Sequence, residues 1–84
     1  MEIKEFIKNN LLQGLENYTN SLKLVLENRR DKKDIQLNQL VFLYANIEVL
    51  ISKGKDANLW NEIVYPTQHI QSQLMLVIRQ IFDK

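Results

Sequence analysis

The chain has 84 residues, a formal charge of +1, 45% hydrophobic and 25% charged residues, and no cysteine. That length gives room for one domain over residues 1–84 with one modest core, and the balance of apolar and charged residues is too even for disorder. Without cysteine there are no disulfides, thiolate metal sites or cysteine nucleophiles, and the near-neutral charge gives no global pull towards nucleic acid or anionic membranes.

The N-terminal segment Met1–Phe6 carries Glu2 and Glu5 and no apolar h-region, so no signal peptide is expected. No apolar run approaches the roughly 20 residues that cross a bilayer, and the expected location is cytoplasmic. Gly14, Gly54 and Pro66 are the chain's only Gly and Pro residues. Their scarcity, with helical spacing throughout, predicts a few long helices and no strand.

A first helix is predicted over about residues 2–28. Its stripe is Ile3, Ile7, Leu11, Leu15, Tyr18, Leu22 and Leu26, in steps of three or four. Asn9, Asn10 and Gly14 are poor helix formers lying close together, so a kink or short break is expected between Asn9 and Gly14. Phe6 and Leu24 fall opposite the main stripe. The connection carries Arg29, Arg30, Asp31, Lys32, Lys33 and Asp34. The two arginines suit a helix C-terminus, and Asp31 with Asp34 resembles a capping box for the next helix.

The second helix is predicted over about residues 34–53, with Gly54 as the left-handed residue that ends it. Its segment Leu40–Ala45 is apolar in every direction around the helix. Leu37, Leu40, Leu43, Tyr44, Ile47, Leu50 and Ile51 occupy one half of the wheel. Ile35, Phe42 and Val49, seven apart, form a narrow stripe on the other, flanked by Asn38, Asn46 and Lys53. A small bundle needs only one apolar stripe per helix, so the second is read as a contact face or as additional core. As a contact face it predicts a homodimer built on this helix, with Asn46 fixing register.

A third helix is predicted over about residues 57–83, with Asp56 as its N-cap. Its stripe runs through Leu59, Ile63, Ile70, Leu74, Val77 and Ile81, widened by Val64, Met75 and Phe82. Pro66 lies inside it and disfavours helical geometry at Tyr65, yet the stripe keeps its phase. One helix kinked at Pro66 is favoured, and a four-helix variant places Pro66 in the first turn of the last helix. Short connections make the expected fold an all-α, antiparallel three-helix bundle.

Chemistry-bearing residues are sparse. His69 is the only histidine and falls near Glu62, Tyr65, Gln73 and Leu76 on the helix. Nothing in the sequence supplies a nucleophile or an orienting pair for it, so it is read as a solvated helix-face histidine. Glu62 and His69 are seven apart, whereas helical zinc pairs are usually spaced by three or four. No Gly-rich loop is present to cradle phosphate. The chain is therefore read as a non-enzyme without cofactor or metal. Trp60 either plugs the bend at Pro66 or, with Tyr65, anchors a partner, both types being enriched at binding hot spots. The cluster Arg29, Arg30, Lys32, Lys33 is read as a solvated loop. Its alternative reading is a nucleic-acid contact that makes the protein a small regulator.

Leu43-Tyr44-Ala45, Leu50, Lys53-Gly54-Lys55, Leu59 and Ile63 resemble the helix–Gly–helix passage of small bacteriocin immunity proteins. The resemblance covers about half the chain. It implies a compact cytosolic helical bundle that protects by binding another protein, and it carries over no individual residue. The expected function is accordingly stoichiometric protein–protein contact, as an immunity protein, inhibitor or adaptor. The candidate interface is Ile35, Phe42, Val49, Trp60 and Tyr65.

Overall fold

The computed structural model describes residues 2–30 and 35–82, the side chain of Phe82 excepted. Among these residues the protein is all-helical, with α1 (Ile3–Arg30), α2 (Leu37–Asp56), a five-residue π turn (Trp60–Val64) and α3 (Tyr65–Phe82). Together they form a three-helix bundle measuring 48 × 19 × 19 Å. The proposed capping residues Asp31 and Asp34 lie outside the described residues.

α1 runs unbroken through Asn9, Asn10 and Gly14, so of the kink or short break that its composition predicts the break does not occur. Helix propensity is a weak local term, and packing overrides it here. Leu11 and Leu22 are buried, and Leu15 and Tyr18 pack against the core between them. Gly14 faces Leu50 and sits within this packed stretch. The stripe is not used along its whole length. Ile3 and Ile7 are exposed, and near the other end Val25 rather than Leu26 packs on the core.

α2 begins at Leu37, with Gln36 as an extended N-cap that makes no side-chain cap bond. All seven apolar residues of its main face are buried or half-buried. Its C-terminus differs from the sequence expectation. Gly54 lies inside the helix, no glycine has positive φ, and the left-handed residue is Asn58 at φ 58°. Leu59 N–H donates to the Gly54 carbonyl at 2.9 Å, and Asn58 N–H to the Lys55 carbonyl at 3.0 Å. These two bonds are a Schellman arrangement, in which Asn is the usual substitute for Gly. Asp56, predicted to cap the next helix, is instead the last residue of α2.

Gly54 has a different task. A Cβ there would lie 2.8 Å from Ile63 Cγ2 and 3.1 Å from Val64 Cγ2. The glycine lets the chain return directly against α2, and Ile63 and Val64 are both fully buried there.

The return is made through the π turn. Val64 and Tyr65 donate to the carbonyls of Leu59 and Trp60, five residues back. In a regular helix the ring of Pro66 clashes with the carbonyl four residues before it, and the wider turn accommodates this. Tyr65 is consequently helical, at φ −65° and ψ −47°, despite preceding a proline. Pro66 sits in the first turn of α3, as in the four-helix variant, but a π turn takes the place of the additional α-helix.

The core has two clusters of buried residues. Leu22, Leu40, Ile47, Ile51, Val64, Ile70, Leu74, Val77 and Ile78 form its larger part. Leu11, Leu50, Leu59 and Ile63 form the smaller, and Leu15 and Tyr18 pack against both. Thr67 is fully buried within this apolar setting, and its hydroxyl has no hydrogen-bond partner among the described residues.

Candidate protein-binding surface

α2 is buried along one side, and its outer side carries the exposed apolar residues Val41, Phe42 and Val49 among polar ones. Phe42 is 71% exposed and Val49 51% exposed, although their helix neighbours Leu40, Ile47, Leu50 and Ile51 are buried. At about 100° per residue Phe42, Asn46, Val49 and Lys53 share one outer strip of the helix. Ile35 is placed apart from this strip. It precedes α2, is half-buried and packs against the core.

Beside Phe42 a groove of about 360 Å³ runs between α1 and α2. Tyr18, Ser21, Val25 and Asn28 line its α1 wall, and Gln39, Leu40, Phe42, Leu43 and Asn46 its α2 wall, with Ile35 at the end. The floor is aliphatic and the rim carries amides and hydroxyls. The described lining contains no ionisable carboxylate, ammonium or guanidinium group.

The same chemistry continues along α1. Phe6, Asn10, Gln13, Asn17, Leu24 and Asn28 follow in steps of three, four or seven on the side of α1 that borders the groove. Gln13 Nε2 donates to Asn17 Oδ1 at 3.3 Å. The acidic and basic residues of α1 fall on its other sides. Leu24, 60% exposed, is one turn before Asn28 of the groove's α1 wall and lies outside the groove itself. The α1 half of this surface is absent from the sequence-derived interface. Its signal is in the sequence, as a second, amide-rich stripe, and an apolar-only reading passes over it.

Trp60 and Tyr65 form a separate feature. Both are exposed, with ring centroids 5.9 Å apart and planes inclined at 50°. Lys55 Nζ lies 5.8 Å from the centre of the Trp60 ring. Trp60 is carried by the π turn beyond the end of α2. Phe42 lies fourteen residues before that end, about 20 Å along the helix axis. The predicted interface residues therefore divide into two places.

Arg29 is half-buried and Arg30 exposed in the last turn of α1, while Lys32 and Lys33 lie outside the described residues. His69 is exposed on α3, with its Nε2 3.4 Å from Gln73 Nε2. Among the described residues no three His, Asp or Glu side chains gather as a metal site, and no helix is long and apolar enough to cross a membrane.

Comparison with family models, with curated proteins and with solved structures finds no match for this chain.

Proposed function

We propose that the protein works by stoichiometric contact with another protein, as an immunity protein, inhibitor or adaptor, and that it binds rather than catalyses. The observation that carries this reading is the pair Phe42 and Val49, exposed on a helix whose opposite side is closed in the core. An apolar surface of this kind, bordered by uncharged polar groups, matches the composition of interface centres, where charge is depleted and aromatic residues are enriched. The resemblance to bacteriocin immunity proteins points the same way. A cytoplasmic setting suits a chain without cysteine.

The reading uses an antiparallel bundle with a bend at Pro66. Leu11 shares a cluster with Leu50, and Leu22 with Leu40, which supports α1 and α2 running in opposite directions. Gln71 on α3 donates to Glu48 on α2, a tie across those helices. The bonds to residues five back before Pro66 support the bend.

The test is a paired capture from native host lysate with the unmodified protein and its Phe42→Glu form as baits. One protein retained near 1:1 by the first and lost by at least tenfold with the second is expected, the size of a hot-spot loss. Identical sets on both baits, or nothing beyond the bait itself, overturns the proposal.

A further inference from the structure

We infer that the α1–α2 face is completed by a second copy of this chain, with Phe42 of each protomer seated in the α1–α2 groove of the other. This rests on the reading of that face as a protein-contact surface, for which a second copy and an outside partner compete, and the two experiments separate them.

Three observations select a second copy. The first is the charge pattern. Among the described residues the groove lining carries no carboxylate, ammonium or guanidinium group, and on this side of α2 charge comes only at the far end, as Lys53 and Asp56. A partner presenting carboxylates or ammonium groups would find nothing to pair with them, and burying them unpaired is costly.

The second is self-complementarity. Asn and Gln side chains each carry a donor and an acceptor, so a strip of amides satisfies a copy of itself. Asn46, Gln39 and Asn28 at the groove rim are of this kind. The protruding group and the receiving groove also lie side by side, because Phe42 is itself part of the groove wall. A two-fold axis beside Phe42 then places each ring over the aliphatic floor of the other protomer and makes both insertions at once.

The third is size. α2 has 20 residues, about 30 Å of helix, and the molecule is 19 Å wide. A face of those dimensions covers roughly 600 Å² in plan and more as accessible surface. That is close to the ~800 Å² per partner of a standard specific interface.

The inference also predicts something that a contact through α2 alone does not, which is that Leu24 on α1 is part of the interface. Sedimentation equilibrium on the full chain, from micromolar to near-millimolar concentration, is the test. The unmodified protein is expected to pass from 10.0 kDa to twice that mass. Leu24→Glu and Phe42→Glu are each expected to weaken association at least tenfold while keeping the helical circular dichroism. Both side chains are largely exposed, so neither change opens a cavity. Should one variant fail to fold, the other carries the test. Leu76→Glu, on the exposed side of α3, is expected to associate like the unmodified chain.

A 10.0 kDa species at every concentration overturns the inference. So does undiminished association of a folded Leu24→Glu or Phe42→Glu form, or loss of association on Leu76→Glu alone. A monomer whose lysate capture still depends on Phe42 removes the second copy and leaves the proposed function standing. A dimer without Phe42-dependent capture does the reverse.

Discussion

α2 and α3 are joined by backbone approach, whereas α1 is held to them by side chains spread along a stripe. At the joint Gly54 lies against Ile63 and Val64 with no room for one further carbon. Along the α1–α2 seam the corresponding position is Gly14, and a Cβ there would meet Leu50 Cδ1 at 3.5 Å, an ordinary contact. α1 buries only Leu11 and Leu22 in 28 residues, while the shorter run from Leu59 to Ile78 buries Leu59, Ile63, Val64, Thr67, Ile70, Leu74, Val77 and Ile78. The two glycines therefore have different meanings. One is required by packing, and the other is a tolerated weakness in a helix held from outside.

The comparison is broken most forcefully at Ile63. Ile63→Ala is expected to cost about 2–5 kcal/mol of unfolding free energy, because the residue is fully enclosed and the site cannot collapse around the loss. Leu11→Ala, at the less enclosed seam, is expected at or below the lower end of that range. Equal losses in urea denaturation would remove the distinction between joint and seam.

The glycines sharpen it by sign. Gly54→Ala is expected to destabilise by about 1–3 kcal/mol through overpacking against Ile63 and Val64. Gly14→Ala is expected to stabilise by up to about 1 kcal/mol, the helix-propensity gain with no steric penalty. Thermal melts decide both, since 1 kcal/mol moves the midpoint of a domain this small by roughly 4–8 °C. A Gly54→Ala form as stable as the unmodified chain would deny the close approach.

An effect no larger than those at the glycines is expected at Thr67. Its buried hydroxyl lacks a partner among the described residues, so Thr67→Val is expected to raise stability by about 1 kcal/mol. A loss of similar size would mean that the hydroxyl is satisfied in solution.

Much of this architecture is legible in the spacing of apolar residues. The main face of α2 and the stripe Leu59, Ile63, Ile70, Leu74, Val77 are buried or half-buried as their periodicity predicts. What the pattern misplaces is punctuation. A glycine near a helix end reads as a stop, yet Gly54 answers to Ile63 across the joint, and the stop is made by Asn58. A proline reads as a disruption, yet a π turn absorbs Pro66 and leaves Tyr65 helical. The cluster of Asn9, Asn10 and Gly14 reads as a kink or short break, but the helix continues and Leu11, Leu15 and Tyr18 pack through it. Each of these depends on a partner distant in sequence, which local propensity does not contain. The surface divides in the same way. Phe42 and Val49 stand out by hydropathy alone, but the amide strip of α1 acquires meaning only when the fold sets it beside them.

The outline of the bundle has a practical consequence for its hydrodynamics. At 48 × 19 × 19 Å a single copy is about two and a half times as long as it is wide. Such a rod tumbles and drags as a heavier sphere would, so an early elution volume or a slow rotational correlation time would imitate association in a protomer that has none. Two rods laid side by side across the α1–α2 face form a squatter particle, whose frictional ratio falls as its mass doubles. Pairing through that face therefore carries a double signature: greater mass with a more compact shape. End-to-end pairing through the Trp60–Tyr65 joint would double the mass and lengthen the rod.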